Sequence, residues 1–401
     1  MGANRTKNFA GLLLLIFLAQ CIWLIHADLR SEFGCYPAGA MARQSRVAEG
    51  LAQWRGQRIA GTPENLSRGE ARIGPGRGYD VYRSPVWYLV AAAPVVLGPP
   101  LTSPARERIW LWLTRIPYLV FGVLLGASLW YVTRRFYGNA GGLVALVLYC
   151  FSPGMIQGTS ELCRDSEMGA AWGTFGAVFT AIALAHTLYA PREVLLWNWK
   201  RIALLAISLA LAVGSQFSLI VLAPVTLGFL LYLAPQRRTD AATIWAAACL
   251  TAGILLSAAY FFRLPVFWHG LRAARLLDVT PAAFAMGANY SSLATRIAKA
   301  SPLLIVLLPV ALLGYLLWRR ARYFGNTAPL LMAALCVVLA LAAPDFPGQG
   351  FALLAMPFLF TAVAGVMADL LETRFGSLLK AVLTALLSAY AAWNLFALAQ
   401  V

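Results

Sequence analysis

Apolar residues fall along this chain in long blocks, separated by short polar and basic stretches. A membrane-spanning helix needs about 20 predominantly apolar residues. The pattern predicts spans over residues 9–25, 109–133, 140–155, 168–188, 202–213, 218–233, 241–262, 303–318, 328–343, 351–371 and 378–399. That makes about eleven spans. The two short runs flanking Gly214-Ser215-Gln216 read equally as one broken or re-entrant element, so the count is open there. Run 86–97 follows Arg83-Ser84-Pro85 and ends before Pro99-Pro100. It is too short to span and is expected to lie along the membrane interface. The expected fold class is an all-α polytopic membrane protein with a long first outer loop carrying juxtamembrane helices.

Composition agrees with this reading. Hydrophobic residues make up 60% and charged residues 12% of the 401, and the mean hydropathy is +0.70. A soluble domain carries roughly 25% charge. The chain holds 32 Lys and Arg against 16 Asp and Glu, which in a soluble protein would suggest nucleic acid. Their distribution argues against that partner, because the basic clusters sit between apolar runs, as the cytoplasmic preference of Lys and Arg requires. With a cytoplasmic amino terminus, the inner connections hold Arg134-Arg135, Arg192 with Lys200-Arg201, and Arg237-Arg238. Further on they hold Arg319-Arg320 with Arg322, and Arg374 with Lys380. The short outer connection 344–350, with Asp345, lacks such a cluster. Two outer segments are long, 27–108 and 263–300. The first holds many arginines without breaking the rule, because long loops translocate largely regardless of charge. It is expected to contain a helix over 40–54.

Arg5 and Lys7 precede the first apolar run, as in a signal peptide, but no small-residue cleavage site follows before Asp28-Leu29-Arg30. The segment therefore reads as a retained first span. The six cysteines show neither a CxxC pair nor zinc spacing. Cys21, Cys249 and Cys336 lie in apolar runs and read as packing residues. Cys35 and Cys163 share the expected outer side, where sequence leaves a disulfide between them undecided. His26 and His186, each alone near a span end, read as packing or interface residues. Asn65-Leu66-Ser67 is a formal glycosylation acceptor with meaning only in a secretory pathway. Gly74-Pro75-Gly76-Arg77-Gly78 lacks the context of a phosphate loop and reads as a turn.

The stretch Glu161-Leu162-Cys163-Arg164-Asp165-Ser166-Glu167 is charged between two apolar runs. Ionisable residues in or at the mouth of a membrane bundle are costly and mark function by default. A solvated loop is the plain alternative. The expected topology puts this stretch on the outer face with Asp28 and Glu32, just after the first span. The second outer segment adds His269, beside Trp268, and several arginines including Arg272. A carboxylate there is able to act as general base or to hold a divalent metal. Guanidinium groups offer bidentate donors to phosphate and diphosphate oxygens. In a membrane, a lipid-linked phosphate is the natural substrate for such a set. The plain alternative is that arginine and tryptophan mark the headgroup level.

Arg115-Ile116-Pro117-Tyr118 opens a helix that ends Arg134-Arg135-Phe136-Tyr137-Gly138. The next helix ends Phe151-Ser152-Pro153, and the polar stretch with Arg164-Asp165 follows. This order resembles the glycosyltransferase C superfamily, in particular its protein mannosyltransferase and aminoarabinose transferase-like branch. Upstream, Arg83-Ser84-Pro85-Val86-Trp87-Tyr88 looks like the family's Pro-Pro-Leu-Tyr segment in the first outer loop. The resemblance covers about residues 9–188; beyond that only the hydrophobic architecture is similar. It implies a helical bundle with an outward-facing active site, where a sugar moves from a polyprenyl-phosphate carrier to lipid, glycan or protein. It also implies a catalytic Asp or Glu shortly after the first span, with Asp165 at the second acidic position. One departure is plain: where the family usually carries an Asp-Glu pair, often after Tyr-Pro, Tyr36-Pro37 is followed here by Ala38-Gly39-Ala40.

These readings give a set of expectations. Residues 1–190 form a glycosyltransferase C-like module with its first outer loop, 27–108, and residues 191–401 supply variable spans with the second loop, 263–300. Asp165, Glu32 and Asp28 are the candidate catalytic residues. Arg164, Arg83, His269 and Arg272 are the candidates for substrate or phosphate binding. No metal ligand is assigned, and a divalent metal cofactor is left open. The expected partners are a polyprenyl-phosphate-linked sugar, an acceptor lipid, glycan or protein, and membrane lipids, with no nucleic acid. The expected location is the bacterial inner membrane, multi-pass, with the amino terminus in the cytoplasm. Two rivals stand beside a glycosyltransferase. One is a non-catalytic relative that binds a lipid carrier or partner enzyme, supported by Ala38-Gly39. The other is a transporter, which the nearly charge-free spans disfavour.

Overall fold

A computed structural model describes residues 3–30, 82–97, 104–160, 167–189, 199–276, 280–343, 350–373 and 376–400. The described residues are predominantly helical and include no strand. Helices α1 (Ala3–Arg30), α2 (Pro85–Leu97), α3 (Pro104–Cys150), α4 (Pro153–Ser160) and α5 (Glu167–Thr187) come first. Then come α6 (Trp199–Ser215), a 3-10 turn (Phe217–Val221), α7 (Leu222–Leu233), α8 (Arg238–Ala259) and α9 (Leu264–Ala273). A second 3-10 turn (Pro281–Ala285) precedes α10 (Gly287–Ala300) and α11 (Leu304–Leu317). A third (Arg319–Ala321) precedes α12 (Phe324–Ala342), α13 (Gly350–Leu371) and α14 (Gly376–Ala399).

The predicted apolar runs all fall on helix. By length and composition, seven described helices are able to cross a membrane, and α10 with α11, bent by 106°, adds an eighth if the pair counts as one span. The difference from eleven has a simple origin. Runs 109–133 and 140–155 lie on the two arms of α3, which meet at the kink of Gly138 and are counted together, and three others sit on helices below the usual spanning length. These are α6, of 17 residues, the 17-residue stretch Phe217–Leu233, and α11, of 14 residues. The chain is an integral multi-pass membrane protein.

The chain forms two compact units. Unit 1 takes residues 1–34, 119–167 and 279–401; unit 2 takes residues 35–118 and 168–278. Unit 1 is built around α13, in which every side chain from Gly350 to Ala368 is buried. Helices α10, α11, α12 and α14 pack on it. Much of α14 presents apolar side chains outward, among them Leu378, Trp393 and Phe396, as a lipid-facing helix does.

Two local features of unit 1 explain motifs visible in the sequence. Gly138 has φ 71 and ψ −169, a left-handed conformation that costs other residues more than glycine. It folds α3 back on itself, so that Tyr149 donates its hydroxyl to the carbonyl of Gly122 at 2.6 Å. The Arg134 Nε bond to Asn139 Oδ1, at 2.9 Å, closes the same turn. The Arg-Arg-x-aromatic-Gly motif is therefore a helix hairpin with its obligatory glycine. At Phe151-Ser152-Pro153, α3 stops and Pro153 opens α4. Ser152 Oγ accepts from Met155 N–H at 3.4 Å, a helix cap, and donates to the carbonyl of Ala300 at 2.6 Å.

A buried polar chain ties the terminal helices together. Gln20 on α1 donates to the carbonyl of Cys150 at 3.1 Å, and Asn394 on α14 donates to Gln20 Oε1 at 2.7 Å. The Cys150 carbonyl sits at a helix end, where no intrahelical partner exists. Inside a membrane such a group must be satisfied by protein, and Gln20 does that. Cys21 and Cys336 are buried packing residues as expected, while Cys249 is half-buried. His26 and His186 are exposed.

In unit 2, α5 and α6 approach closely. Gly173 lies against Ala212 and Gly176 against Ser208, at distances a β-carbon would violate. Small residues one turn apart let membrane helices pack at short range.

Candidate functional site

The site begins where α6 breaks. Gln216 is extended, with φ −156 and ψ 109, and the chain resumes as the 3-10 turn at Phe217. The short pair around Gly214-Ser215-Gln216 is thus a broken element. A break in a membrane helix frees backbone groups that need new partners. The segment Tyr82-Arg83-Ser84 supplies them. The Tyr82 carbonyl accepts from Phe217 N–H at 2.9 Å, and Ser84 N–H donates to the Gly214 carbonyl at 2.9 Å.

Ser84 serves both elements. Its hydroxyl donates to the Gly214 carbonyl at 3.0 Å and accepts from Val86 N–H at 3.2 Å, capping α2 just ahead of Pro85. Gly214 has no room for a side chain, since a β-carbon there would lie 2.9 Å from Val86 Cβ. Trp87 follows and is fully buried. Its ring occupies the space left by Gly169 on α5, where a β-carbon would come within 2.3 Å of it. Trp87 Nε1 donates to the Tyr118 hydroxyl at 3.3 Å, with the two rings edge-on at 5.2 Å.

Two arginines belong to this framework. Arg83 is 4% exposed and Arg115 is 1% exposed. The Arg115 guanidinium lies over the Tyr118 ring, 4.6 Å from its centre, a cation–π contact. A third, the exposed Arg275, donates to the Tyr82 hydroxyl at 3.4 Å and lies 5.8 Å from the ring centre. Buried guanidinium groups are rare and expensive because they give up water. In this low-dielectric setting they attract anions more strongly than they would in water. The arrangement suits a phosphate or diphosphate group, which guanidinium donors match in geometry.

The sequence-predicted residues fall as follows. Arg83 is buried in this framework. His269 and Arg272 are exposed on α9, a helix of unit 2 held by Gly270 against Tyr260 and by the Tyr260–Phe267 ring contact at 5.5 Å. Asp28 belongs to the last turn of α1. Glu32, Arg164 and Asp165 lie outside the described residues, as do Cys35, Cys163, the Ala38-Gly39 departure and the helix expected over 40–54. Gly169, beneath Trp87, follows Asp165 by four residues in the chain. Among the described residues, no three His, Cys, Asp or Glu side chains gather to hold a metal ion.

In the sequence Arg115 reads only as part of a helix opening, whereas α3 already begins at Pro104, and no sequence feature pairs Tyr82 with Arg275. A signal for Arg115 exists, since an ionisable residue inside the apolar run 109–133 is a functional candidate on cost alone. Tyr82 and Arg275 are far apart in the chain, and nothing local joins them.

Two solved structures show what this fold is like. An archaeal oligosaccharyltransferase, AglB from Archaeoglobus fulgidus, in complex with an inhibitory peptide and a dolichol-phosphate, matches over 98% of this chain at TM-score 0.60 and 14% identity. The Archaeoglobus fulgidus oligosaccharyltransferase tethered to an acceptor peptide with an NVT sequon matches over 98% at TM-score 0.58 and 14% identity. The chain has the glycosyltransferase C fold. It spans 55% of the length of each of those proteins. No family profile and no curated protein matches the sequence. The superfamily resemblance read from the Arg-Arg-x-aromatic-Gly and Ser-Pro order agrees with this fold.

Proposed function

We propose that this protein is a membrane glycosyltransferase that moves a sugar from a polyprenyl-phosphate donor to a lipid, glycan or protein acceptor. The observation that carries the reading is the pair of buried arginines, Arg83 and Arg115, built into a glycosyltransferase C fold. One solved structure of that fold holds a dolichol-phosphate, a lipid-linked phosphate of the kind two guanidinium groups suit. In this reading Arg83 and Arg115 bind the donor phosphate, and Arg164 is a further phosphate-binding candidate. Asp165 and one of Asp28 or Glu32 are the acidic groups, and one of the two carboxylates takes the acceptor proton. His269 and Arg272 on α9 contact substrate from the second loop. The distribution of basic clusters supports a cytoplasmic amino terminus and a site on the opposite face, as in a bacterial inner membrane protein.

Asp165→Asn tests the reading: it should abolish sugar transfer while leaving membrane insertion and folding unchanged. Transfer retained at the wild-type rate would remove Asp165 from the mechanism. A second reading rests on Ala38-Gly39 standing where the family carries acidic residues. In that case the chain binds a polyprenyl phosphate without turning it over, and binding persists while transfer is absent.

A further inference from the structure

Resting on the reading of Arg83 as a phosphate-binding group, we infer that Ser84 and Gly214 are its positioning residues. Arg83 is buried, and its neighbours on both sides are fastened to the break between α6 and the turn at Phe217. Tyr82 gives its carbonyl to Phe217 N–H at 2.9 Å. Ser84 gives two protons, from N–H at 2.9 Å and from its hydroxyl at 3.0 Å, to the Gly214 carbonyl. Arg83 is thus the central residue of a three-residue splint across a broken helix. Its backbone is fixed by the same bonds that satisfy the break.

The hydroxyl matters beyond one bond. Without it, Val86 N–H loses its cap acceptor at 3.2 Å and the Gly214 carbonyl loses one of two donors. The start of α2 and the splint then loosen together, and Arg83 with them. Gly214 contributes by its absence of side chain. A β-carbon would stand 2.9 Å from Val86 Cβ and 3.1 Å from Ser84 Oγ, lifting the splint off the break. Neither residue touches substrate in this account; each acts through Arg83.

The test compares two probes on full-length protein in detergent: farnesyl phosphate and uncharged farnesol, titrated by calorimetry. Wild type should bind the phosphate in clear preference to the alcohol. Ser84→Ala and Gly214→Ala should each weaken farnesyl phosphate binding by about tenfold, the scale of one buried hydrogen bond, while farnesol binding stays within twofold by the same measure. Unchanged farnesol binding also shows that the variant has folded. If both probes weaken together, or neither does, the positioning role is overturned while the functional reading stands. If wild type itself shows no preference for the phosphate, the functional reading falls, and this inference falls with it.

Discussion

Trp87 donates its indole N–H to the hydroxyl of Tyr118 at 3.3 Å, and Arg115 lies over the same Tyr118 ring at 4.6 Å. One tyrosine therefore links the segment that carries Arg83 to the second buried arginine. Tyr118→Phe removes the hydrogen bond and keeps the ring, so phosphate-probe affinity should fall by less than about fivefold. Tyr118→Ala removes the cation–π surface as well and should cost more than about tenfold. Equal losses in the two variants would show that the ring contributes nothing to Arg115. Probe titration reads both.

Replacing either buried arginine by lysine should not be conservative. Lysine keeps the charge and loses the planar fork that engages two phosphate oxygens. Arg83→Lys and Arg115→Lys are each expected to weaken binding of farnesyl phosphate by about tenfold or more. Affinity unchanged in both variants would separate these arginines from the phosphate.

Gly169→Ala should act on the site through packing alone. The new methyl would lie 2.3 Å from the Trp87 ring, forcing a shift that costs about 1–3 kcal/mol. Thermal unfolding in detergent should register the loss. A neutral result would mean that Trp87 moves without cost.

Gly138→Ala isolates the hairpin turn of α3. An alanine at φ 71 and ψ −169, a region almost exclusive to glycine, costs roughly 1–3 kcal/mol, read as a lower unfolding midpoint with no effect on probe binding per folded molecule. Neutrality would require a different backbone at that residue.

Much of this molecule could be read before its structure was known. The apolar runs marked the helices because a membrane leaves the backbone few alternatives. The Arg-Arg-x-aromatic-Gly motif ended one helix and began the next because Gly138 supplies a conformation other residues resist. What periodicity could not give was the pairing of Tyr82–Ser84 with Gly214–Phe217, 130 residues apart at Ser84 and Gly214. The break at Gly214-Ser215-Gln216 was visible, but not the partner that satisfies it. Arg83 reads as a motif residue and Arg115 as part of a helix opening, and the burial of both is visible only in the structure.

The polar tie between the terminal helices makes a separate prediction. Gln20→Ala and Asn394→Ala should each destabilise the protein, and a double-mutant cycle should give a coupling of about 0.6–2 kcal/mol. Additive effects would mean that the 2.7 Å bond between them carries no net energy.

The central claim is that this chain uses a lipid-linked phosphate as sugar donor. Its most direct test is to reconstitute the purified protein with a polyprenyl-phosphate-linked sugar and a membrane extract of acceptors, and to follow release of free polyprenyl phosphate. The account predicts release that requires Arg83 and Asp165, matched by label appearing on acceptor. A protein that releases no polyprenyl phosphate and labels no acceptor, whether or not it binds the lipid, would contradict the account.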